Sequence, residues 1–200
     1  MTDLFEDKAE EWDINEMVKA LAVAVGSSIL KYVPLNDQKR VMDFGAGTGL
    51  ICSQVAPFVQ KITAVDISES MLGNLVSKQD LKGKVEVLCQ DIVETPIDEK
   101  FDLIMSAMAM HHVKETEKLI QRFAEHLDSG ALIALSDLDK EDGSFHGENR
   151  EGVHHFGFER KKLQTMLEQN GFVEIDFHTV HTVNKDEKMY PIFLVTAKKC

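Results

Sequence analysis

The chain has 200 residues, about the size of one domain, and this length is enough to bury a full core around a single sheet. Its formal net charge of −12 repels phosphate backbones, so we expect no nucleic-acid partner. No apolar run approaches the roughly 20 residues that cross a bilayer. We therefore expect no membrane partner. Three cysteines without a CxxC pair are typical of reduced thiols, so we expect a cytoplasmic protein.

Helical and extended patterns alternate along the chain. Apolar spacing and breakers predict helices over residues 15–32, 50–59, 69–79, 115–127 and 159–170. Apolar runs predict strands over residues 40–44, 62–66, 85–89, 101–106, 131–136, 173–183 and 190–197. Strands separated by helices imply a parallel sheet with right-handed crossovers, whereas the short link 184–188 permits only an antiparallel hairpin. We expect one α/β domain over residues 1–200, with an N-terminal lid or helix (1–36) and an irregular substrate-side segment (137–158).

Residues 41–50 read VMDFGAGTGL, and this is the most informative stretch of the chain. A short apolar run ends at Asp43, and glycines follow at positions 45, 47 and 49 before a helical pattern begins. Glycine lets the backbone adopt positive φ or approach a ligand closely, and turn chemistry alone accounts for one glycine rather than three. The pattern of strand, acid, glycine loop and helix is typical of a ligand crevice at the carboxyl ends of parallel strands.

Two further acids follow the next two predicted strands. Asp66 ends the run KITAVD and lies 21 residues after Gly45 (66 − 45), near the roughly 20-residue offset at which an acid can hold ribose hydroxyls. Asp91 follows the strand 85–89. Asp66 could instead be an ordinary acid before a helix, where the helix dipole favours a negative charge. Asp91 could instead be an exposed acid of a surface loop.

With the loop and both acids in this order, the sequence resembles the class I S-adenosylmethionine (SAM) dependent methyltransferases. Residues 43–49 match that family's D-x-G-x-G-x-G loop, Asp66 matches its ribose-binding acid, and residues 90–92 resemble its adenine site. The resemblance implies a Rossmann-like, mostly parallel seven-stranded sheet with helices on both faces and an antiparallel C-terminal hairpin. It also implies SAM as the cofactor. Leu50 stands where the dinucleotide fingerprint G-x-G-x-x-G requires its last glycine, which disfavours a nicotinamide cofactor.

The resemblance assigns roles to individual residues. Asp43 would steer the ammonium of the SAM amino-acid tail through water or loop amides, and Asp66 would accept hydrogen bonds from the ribose hydroxyls. Asp91 would face the adenine amino group, with Ile67 and Ile92 on the two sides of the ring. The full set of expected cofactor-binding residues is Asp43, Gly45, Ala46, Gly47, Gly49, Asp66, Ile67, Asp91, Ile92, Ser106 and Trp12.

The segment after the fourth predicted strand, SAMAMHH (residues 106–112), bears on the methyl acceptor. It lacks the D/N-P-P-Y/F motif of DNA amino-methyltransferases, and the chain has no Pro-Cys pair for cytosine C5 chemistry. It resembles small-molecule methyltransferases, including the quinone C-methyltransferase type, which often carry a His pair here. Methyl transfer is a direct displacement, and His111 or His112 could act as the base if the acceptor must lose a proton. The alternative is that both histidines are structural.

Two further regions carry candidate residues. His146, His154 and His155 lie near Glu148 and Glu151, but their spacing is not that of a metal site, so we expect no metal there. They would form a substrate-facing rim, supply a general base or be structural. Phe5 and Trp12 would close over the SAM tail or pack as ordinary core aromatics. The sequence leaves the oligomeric state open, and the rival to an enzyme is a non-catalytic SAM-binding or partner-binding protein on the same fold.

Overall fold

A computed structural model describes residues 3, 5–147 and 150–200 of the chain. The strands β1 to β7 are Arg40–Phe44, Lys61–Asp66, Val85–Cys89, Phe101–Ala107, Leu127–Leu138, Phe172–Lys185 and Lys188–Lys199. The helices α1 to α6 are Glu6–Ala9, Glu16–Tyr32, Leu50–Val55, Glu69–Ser77, Thr116–Glu125 and Arg160–Gln169. Short 3-10 turns cover Trp12–Ile14, Ala56–Phe58, Gln79–Leu81 and Met110–His112.

The seven strands form one sheet in the order β3-β2-β1-β4-β5-β7-β6. Strands β1 to β5 pair in parallel, and β7 pairs antiparallel with both β5 and β6. The two-residue link between β6 and β7, Asp186 and Glu187, has φ angles of 51° and 63°, which suit the tight turn of a hairpin. The predicted fold class, a mostly parallel α/β sheet with a C-terminal antiparallel hairpin, is therefore confirmed.

Helices pack on both faces of this sheet, each over its own hydrophobic core. On one face α2, α3 and α4 bury apolar side chains such as Val25, Val55 and Leu75. On the other face α5 and α6 bury Phe123, Leu167 and their neighbours. Because the apolar residues of α2 recur every four positions, one stripe of that helix faces the sheet.

Several element boundaries differ from the predicted ones, and two of these differences bear on the site. The helix predicted over 50–59 ends at Val55 and continues as the 3-10 turn Ala56–Phe58, since Pro57 has no amide hydrogen to continue the α-helical bonding. Strand β5 runs to Leu138, so Asp137 belongs to the sheet and not to the irregular segment predicted over 137–158. The residues that follow Asp137 are polar and have no period, which places Asp137 in the predicted irregular segment, but its side chain is buried.

The carboxyl ends of the parallel strands meet at one edge of the sheet. Phe44 at the end of β1 is in register with Val65 of β2 and Ser106 of β4, and Ser106 is in register with Leu135 of β5. The glycine loop and the His pair follow these strand ends, and Asp66 is the last residue of β2. No helix within the described ranges is long and apolar enough to cross a membrane.

Candidate functional site

The glycine loop turns tightly from β1 into α3. The amides of Gly45 and Ala46 both donate to the carbonyl oxygen of Val65, which ties the loop to β2. Gly45 has a φ of +67°, and a Cβ there would lie 2.2 Å from the Cβ of Ala109. Gly47 has a φ of +53°, but no atom of the described residues lies within 4 Å of the position that its Cβ would occupy. Gly45 is thus needed for packing, whereas Gly47 faces open space.

The Asp66 side chain lies at the end of β2, beside this loop. One carboxylate oxygen accepts a hydrogen bond from the Gly47 amide at 2.8 Å, and the other accepts one from the Ser68 amide at 2.9 Å. Burial raises the pKa of this carboxyl, and the two amide hydrogen bonds oppose that shift. Since each carboxylate oxygen has a second lone pair, Asp66 can still accept hydrogen bonds from a ligand in front of Gly47.

Asp43, at the start of the loop motif, is far less accessible. Only 2 % of its surface is exposed, and its Oδ2 atom accepts a hydrogen bond from the Cys52 thiol of α3 at 3.0 Å. Burial raises the pKa of this carboxyl to about 7, the thiol hydrogen bond lowers it, and the nearby charge of Asp66 raises it further. Asp43 therefore forms the floor of the loop rather than part of its open surface.

Residues 90–92 follow β3 on the other side of Asp66. Asp91 is exposed, and its Oδ1 atom accepts a hydrogen bond from the Val93 amide at 2.9 Å. Ile67 is 54 % exposed and is free to contact a flat ligand. Ile92 is completely buried in the core beneath α5, so its side chain offers no surface in this conformation. The adenine contacts of Asp91, Ile67 and Ile92 stay predictions.

The N-terminal segment lies across the loop and α4. The Asp3 carboxylate accepts hydrogen bonds from the hydroxyls of Ser68 and Ser70, at 2.9 and 2.8 Å. Burial raises the pKa of Asp3, but these and other hydrogen bonds outweigh it and hold the pKa below its usual value. The Asp13 carboxylate accepts a hydrogen bond from the Thr48 hydroxyl of the glycine loop at 2.5 Å. This segment is therefore attached on both sides of Asp66. Residues 1, 2 and 4 of the predicted lid lie outside the described residues.

The two histidines of the predicted catalytic pair occupy different environments. His111 is 2 % exposed, and its Nδ1 atom donates to the carboxylate of Asp137, which is completely buried, at 2.8 Å. The same carboxylate accepts the backbone amide of His111 at 3.1 Å and that of Leu138 at 2.8 Å. The His111 carbonyl in turn accepts the amides of His154 and His155. His111 thus joins the end of β5 to the segment that follows it.

His112 points its ring toward the N-terminal segment. Its Nδ1 atom lies 2.8 Å from the Gly152 carbonyl oxygen, which only accepts, so Nδ1 carries the proton and Nε2 the lone pair. The Phe5 ring packs edge-on against it at 5.3 Å between centroids. Burial, followed by the neighbouring His111, lowers the pKa of His112 to about 4. The imidazole is therefore uncharged at neutral pH and accepts hydrogen bonds through Nε2.

The structure also brings His146 to this cluster. Its ring lies 4.9 Å from that of His111 and 6.1 Å from that of His112, and burial lowers its pKa to about 4. His155 instead donates its Nε2 proton to the Val113 carbonyl oxygen at 2.9 Å, and His154 is exposed. Within the described ranges no three His, Cys, Asp or Glu side chains are arranged to hold a metal ion. Glu148 lies outside these ranges, and the absence of a metal stays a prediction.

Ser106 and Trp12 complete the predicted set. Ser106 is buried at the end of β4, and its hydroxyl has no hydrogen-bond partner among the residues that the structure describes. Trp12 lies half-buried in the N-terminal segment, with its ring 6.3 Å from that of Phe5. A hydroxyl without a partner at the edge of the sheet is consistent with a polar ligand group nearby.

Sequence reasoning missed three residues of this region: Asp137, Asp3 and Asp13. Asp137 ends the apolar run ALIALS in the way that Asp43 and Asp66 end theirs, and this repeated signal could have found it. The partners of Asp3 and Asp13 lie 65 and 35 residues along the chain, and nothing in the sequence indicates such contacts.

A family model described as a methyltransferase domain matches residues 17–176. The chain belongs to the methyltransferase domain family. This methyltransferase domain is 26 % identical over 125 residues to the malonyl-[acyl-carrier protein] O-methyltransferase of Bacillus anthracis, covering 62 % of this chain and 46 % of that protein. The chain spans about half the length of the curated relatives that it matches first.

Solved structures share the fold of this methyltransferase domain. A methyltransferase in complex with the Haloferax volcanii Trm112 activator superposes with a TM-score of 0.79 and 14 % identity, covering 99 % of this chain and 98 % of that one. Haemonchus contortus phosphoethanolamine N-methyltransferase 2, in complex with S-adenosyl-L-methionine, gives a TM-score of 0.72 and 16 % identity. That match covers 98 % of this chain and 60 % of the other. At such identities these likenesses show the fold alone.

Proposed function

We propose that the chain is a methyltransferase that uses SAM to methylate a small molecule. The observation that carries this proposal is the Asp66 carboxylate, held by the Gly47 and Ser68 amides next to the open face of the glycine loop. A carboxylate in a partly buried site makes strong, charge-assisted hydrogen bonds to a pair of hydroxyls, such as those of a ribose. The loop offers backbone at close range and no cationic side chain, which suits a cationic ligand without phosphate groups.

Ile67 and Asp91 would receive the adenine on the far side of Asp66, because they follow β2 and β3 at the same sheet edge. The N-terminal segment would cover the amino-acid tail. Its hydrogen bonds to Thr48 and to Ser68 lie on either side of the proposed ribose site, so release of this segment would open the cleft. Trp12 and Phe5 belong to that cover.

The methyl acceptor would bind under Phe5, against the imidazole of His112. Methyl transfer forms a bond between the acceptor and carbon and breaks the carbon–sulfur bond, whose electrons stay on sulfur. Alignment of these atoms can supply about 7–11 kcal/mol of the barrier. The Nε2 lone pair of His112 would accept the acceptor's proton. The Gly152 carbonyl would orient His112 through Nδ1, and the His111 ring, held by Asp137, packs against it with 4.1 Å between centroids. His111 is thus a positioning residue, since it is buried away from the cleft.

The acceptor's chemical class stays a proposal. The uncharged imidazoles of His112 and His146 favour a group that donates a hydrogen bond over one that carries negative charge. The resemblance of the His pair to the quinone C-methyltransferase type stays a prediction. The names of the relatives include O- and N-methyltransferases, so both products belong in any screen.

Calorimetric titration of SAM into the wild-type protein, Asp66→Ala and Asp128→Ala tests the cofactor site. Asp128 is an exposed acid of β5 and serves as the matched control. We expect wild type and Asp128→Ala to bind alike and folded Asp66→Ala to lose most of its affinity. Unchanged SAM binding in Asp66→Ala would refute the proposed site.

Incubation of a metabolite extract with methyl-labelled SAM, followed by mass identification of labelled products, tests the reaction itself. We expect a labelled small molecule that depends on His112. SAM binding with no labelled product from broad extracts would instead support a non-catalytic SAM-binding protein on this fold.

A further inference from the structure

Among the residues that the structure describes, Asp43 is a buried acid without a cationic partner. Its carboxyl is 2 % exposed, and the one hydrogen bond that it receives from these residues comes from the Cys52 thiol at 3.0 Å. A thiol is a weak donor and compensates little of the cost of burying a carboxylate. The protein therefore holds a group that favours either a proton or a positive ligand beside it.

The charged groups around Asp43 reinforce this preference. From β2, Asp66 repels a second negative charge. From α3, Cys52 is held in its protonated form, because burial and Asp43 both raise its thiol pKa. The charge of Lys78 lowers the thiol pKa of Cys52, but its ammonium is paired with Asp13 at 2.7 Å. In the adjacent strand β4, the residue paired with Asp43 is the uncharged Met105.

We propose that Asp43 is partly protonated in the free protein near neutral pH and releases this proton when the methyl donor binds, so that this residue selects the charged donor over its uncharged product. The inference rests on the proposed SAM site, since Asp43 opens the loop that would hold the cofactor. It adds a specificity role to a residue that the fold uses as the floor of that loop.

The selection follows from the charges of the two ligands. SAM carries an ammonium, a carboxylate and a sulfonium, and its net charge is positive. Its product, S-adenosylhomocysteine, has lost the sulfonium charge and is neutral overall. Both ligands have the ammonium, so the difference comes from the sulfonium. Its added positive charge in the cleft favours the ionised carboxyl, so the O–H bond of Asp43 breaks and the proton passes to solvent. After methyl transfer the carboxyl takes a proton again, which weakens retention of the product.

Calorimetric titration of SAM between about pH 6 and pH 8 measures this linkage. For a carboxyl that titrates near pH 7 in the free protein, wild-type affinity relative to that of Asp43→Asn should fall about tenfold from pH 8 to pH 6. About half a proton should be released per SAM bound at pH 7, as read from buffers of different ionisation enthalpy. S-adenosylhomocysteine should show a smaller change in both quantities.

Asp43→Asn is the matched control, because it keeps the size and the hydrogen-bond acceptor but cannot titrate. SAM has an amino group that itself titrates near pH 8, and Asp43→Asn reports that contribution alone. We expect the wild type to show a steeper pH dependence than this variant. Equal pH dependence and equal proton release in the two proteins would overturn the inference.

A second pair of variants keeps Asp43 and changes only its donor. Cys52→Ala removes the thiol hydrogen bond and should move the midpoint of the pH dependence upward. Cys52→Ser offers a stronger hydroxyl donor and should move it downward. Midpoints that stay fixed in both variants would contradict the proposal. Failure of the wild type to bind SAM at any pH would overturn the proposed function, whereas pH-independent binding would overturn this inference alone.

Discussion

The Asp66 carboxylate accepts a hydrogen bond from the Gly47 amide over 2.8 Å, so the end of β2 and the glycine loop fix one another. The two residues lie 19 positions apart in the chain but form one surface. No atom of the described residues lies within 4 Å of the position that a Gly47 Cβ would occupy. This relationship is what makes the loop a candidate binding surface rather than an ordinary turn.

Alanine at two glycines should separate ligand binding from folding. At Gly47 it should cost about 1–2 kcal/mol through its positive φ, yet SAM affinity should fall at least about tenfold because the Cβ enters the cleft. Alanine at Gly45 should lower the free energy of unfolding by about 1–3 kcal/mol more than alanine at Gly47, since the new Cβ would lie 2.2 Å from the Cβ of Ala109. Denaturant unfolding and SAM titration measure both. Equal stability of the two variants would contradict this assignment.

Replacement of His112 by Asn should lower kcat by roughly 10²–10⁴ with little change in the KM for SAM, because general-base catalysis contributes about that factor. His181→Asn on β6 is the matched control and should keep activity. Burial lowers the pKa of His112 to about 4, so the imidazole stays an available base above that pH. At saturating SAM, kcat should therefore stay level between about pH 8 and pH 6. An unchanged kcat in the His112→Asn variant would show that His112 has no catalytic role.

Replacement of Asp137 by Ala should destabilise the protein by about 3–5 kcal/mol, the usual cost of breaking a buried ion pair or its hydrogen-bonded equivalent. The change leaves Nδ1 and the amide of His111, together with the amide of Leu138, without their acceptor. Urea unfolding measures the loss. The exposed acid Asp128 serves again as the control, with an expected change within about 0.5 kcal/mol. A stable Asp137→Ala protein would contradict the structural role of this pair.

The sequence allowed the sheet edge to be predicted because its signals are local. An acid stands at or next to the end of each of the short apolar strands β1 and β2, and the glycines begin two residues after Asp43. The parallel pairing then brings Asp43, Asp66 and Ser106 to the same edge, as their strand ends require. Such signals need no knowledge of distant contacts.

The partners of the His pair could not be predicted in the same way. His111 and Asp137 lie 26 residues apart, and a buried polar pair has no periodic signature. The polar composition of residues 137–157, rich in Gly and His and without a period, predicts that Asp137 lies in an irregular segment, whereas the structure buries it in β5. The hydrogen bond from Thr48 to Asp13 was equally hidden, since it joins a loop to a segment that has no strong pattern.

Replacement of Thr48 by Val should weaken the cover of the proposed cofactor site. The change keeps the shape of the side chain but removes the hydroxyl that donates to Asp13. A hydrogen bond of this kind contributes about 0.5–1.5 kcal/mol, so SAM affinity should fall roughly two- to tenfold, chiefly through faster dissociation. Stopped-flow dissociation measures the rate. Thr165→Val on the exposed face of α6 is the control. Equal rates of SAM dissociation in the two variants would show that the hydrogen bond between Thr48 and Asp13 does not help to retain SAM.

The buried carboxyl of Asp43 should also affect stability, in a direction that its pKa fixes. Burial raises that pKa to about 7 from an ordinary value of 3.8, so between these values the native state holds a proton that the unfolded chain has lost. The free energy of unfolding therefore falls as pH rises from about 4 to about 7 and then levels off. The ionised carboxylate is the destabilising form.

Asp43→Asn removes that charge and should be more stable than the cofactor-free wild type at about pH 8, by an amount on the order of 1–4 kcal/mol. The gain should shrink toward pH 5, where the wild-type carboxyl is protonated and resembles the amide. Urea unfolding at both pH values gives the two differences. A gain that is independent of pH would show that the amide acts by packing and that Asp43 does not titrate in this range, because only a titrating carboxyl makes the difference vary with pH.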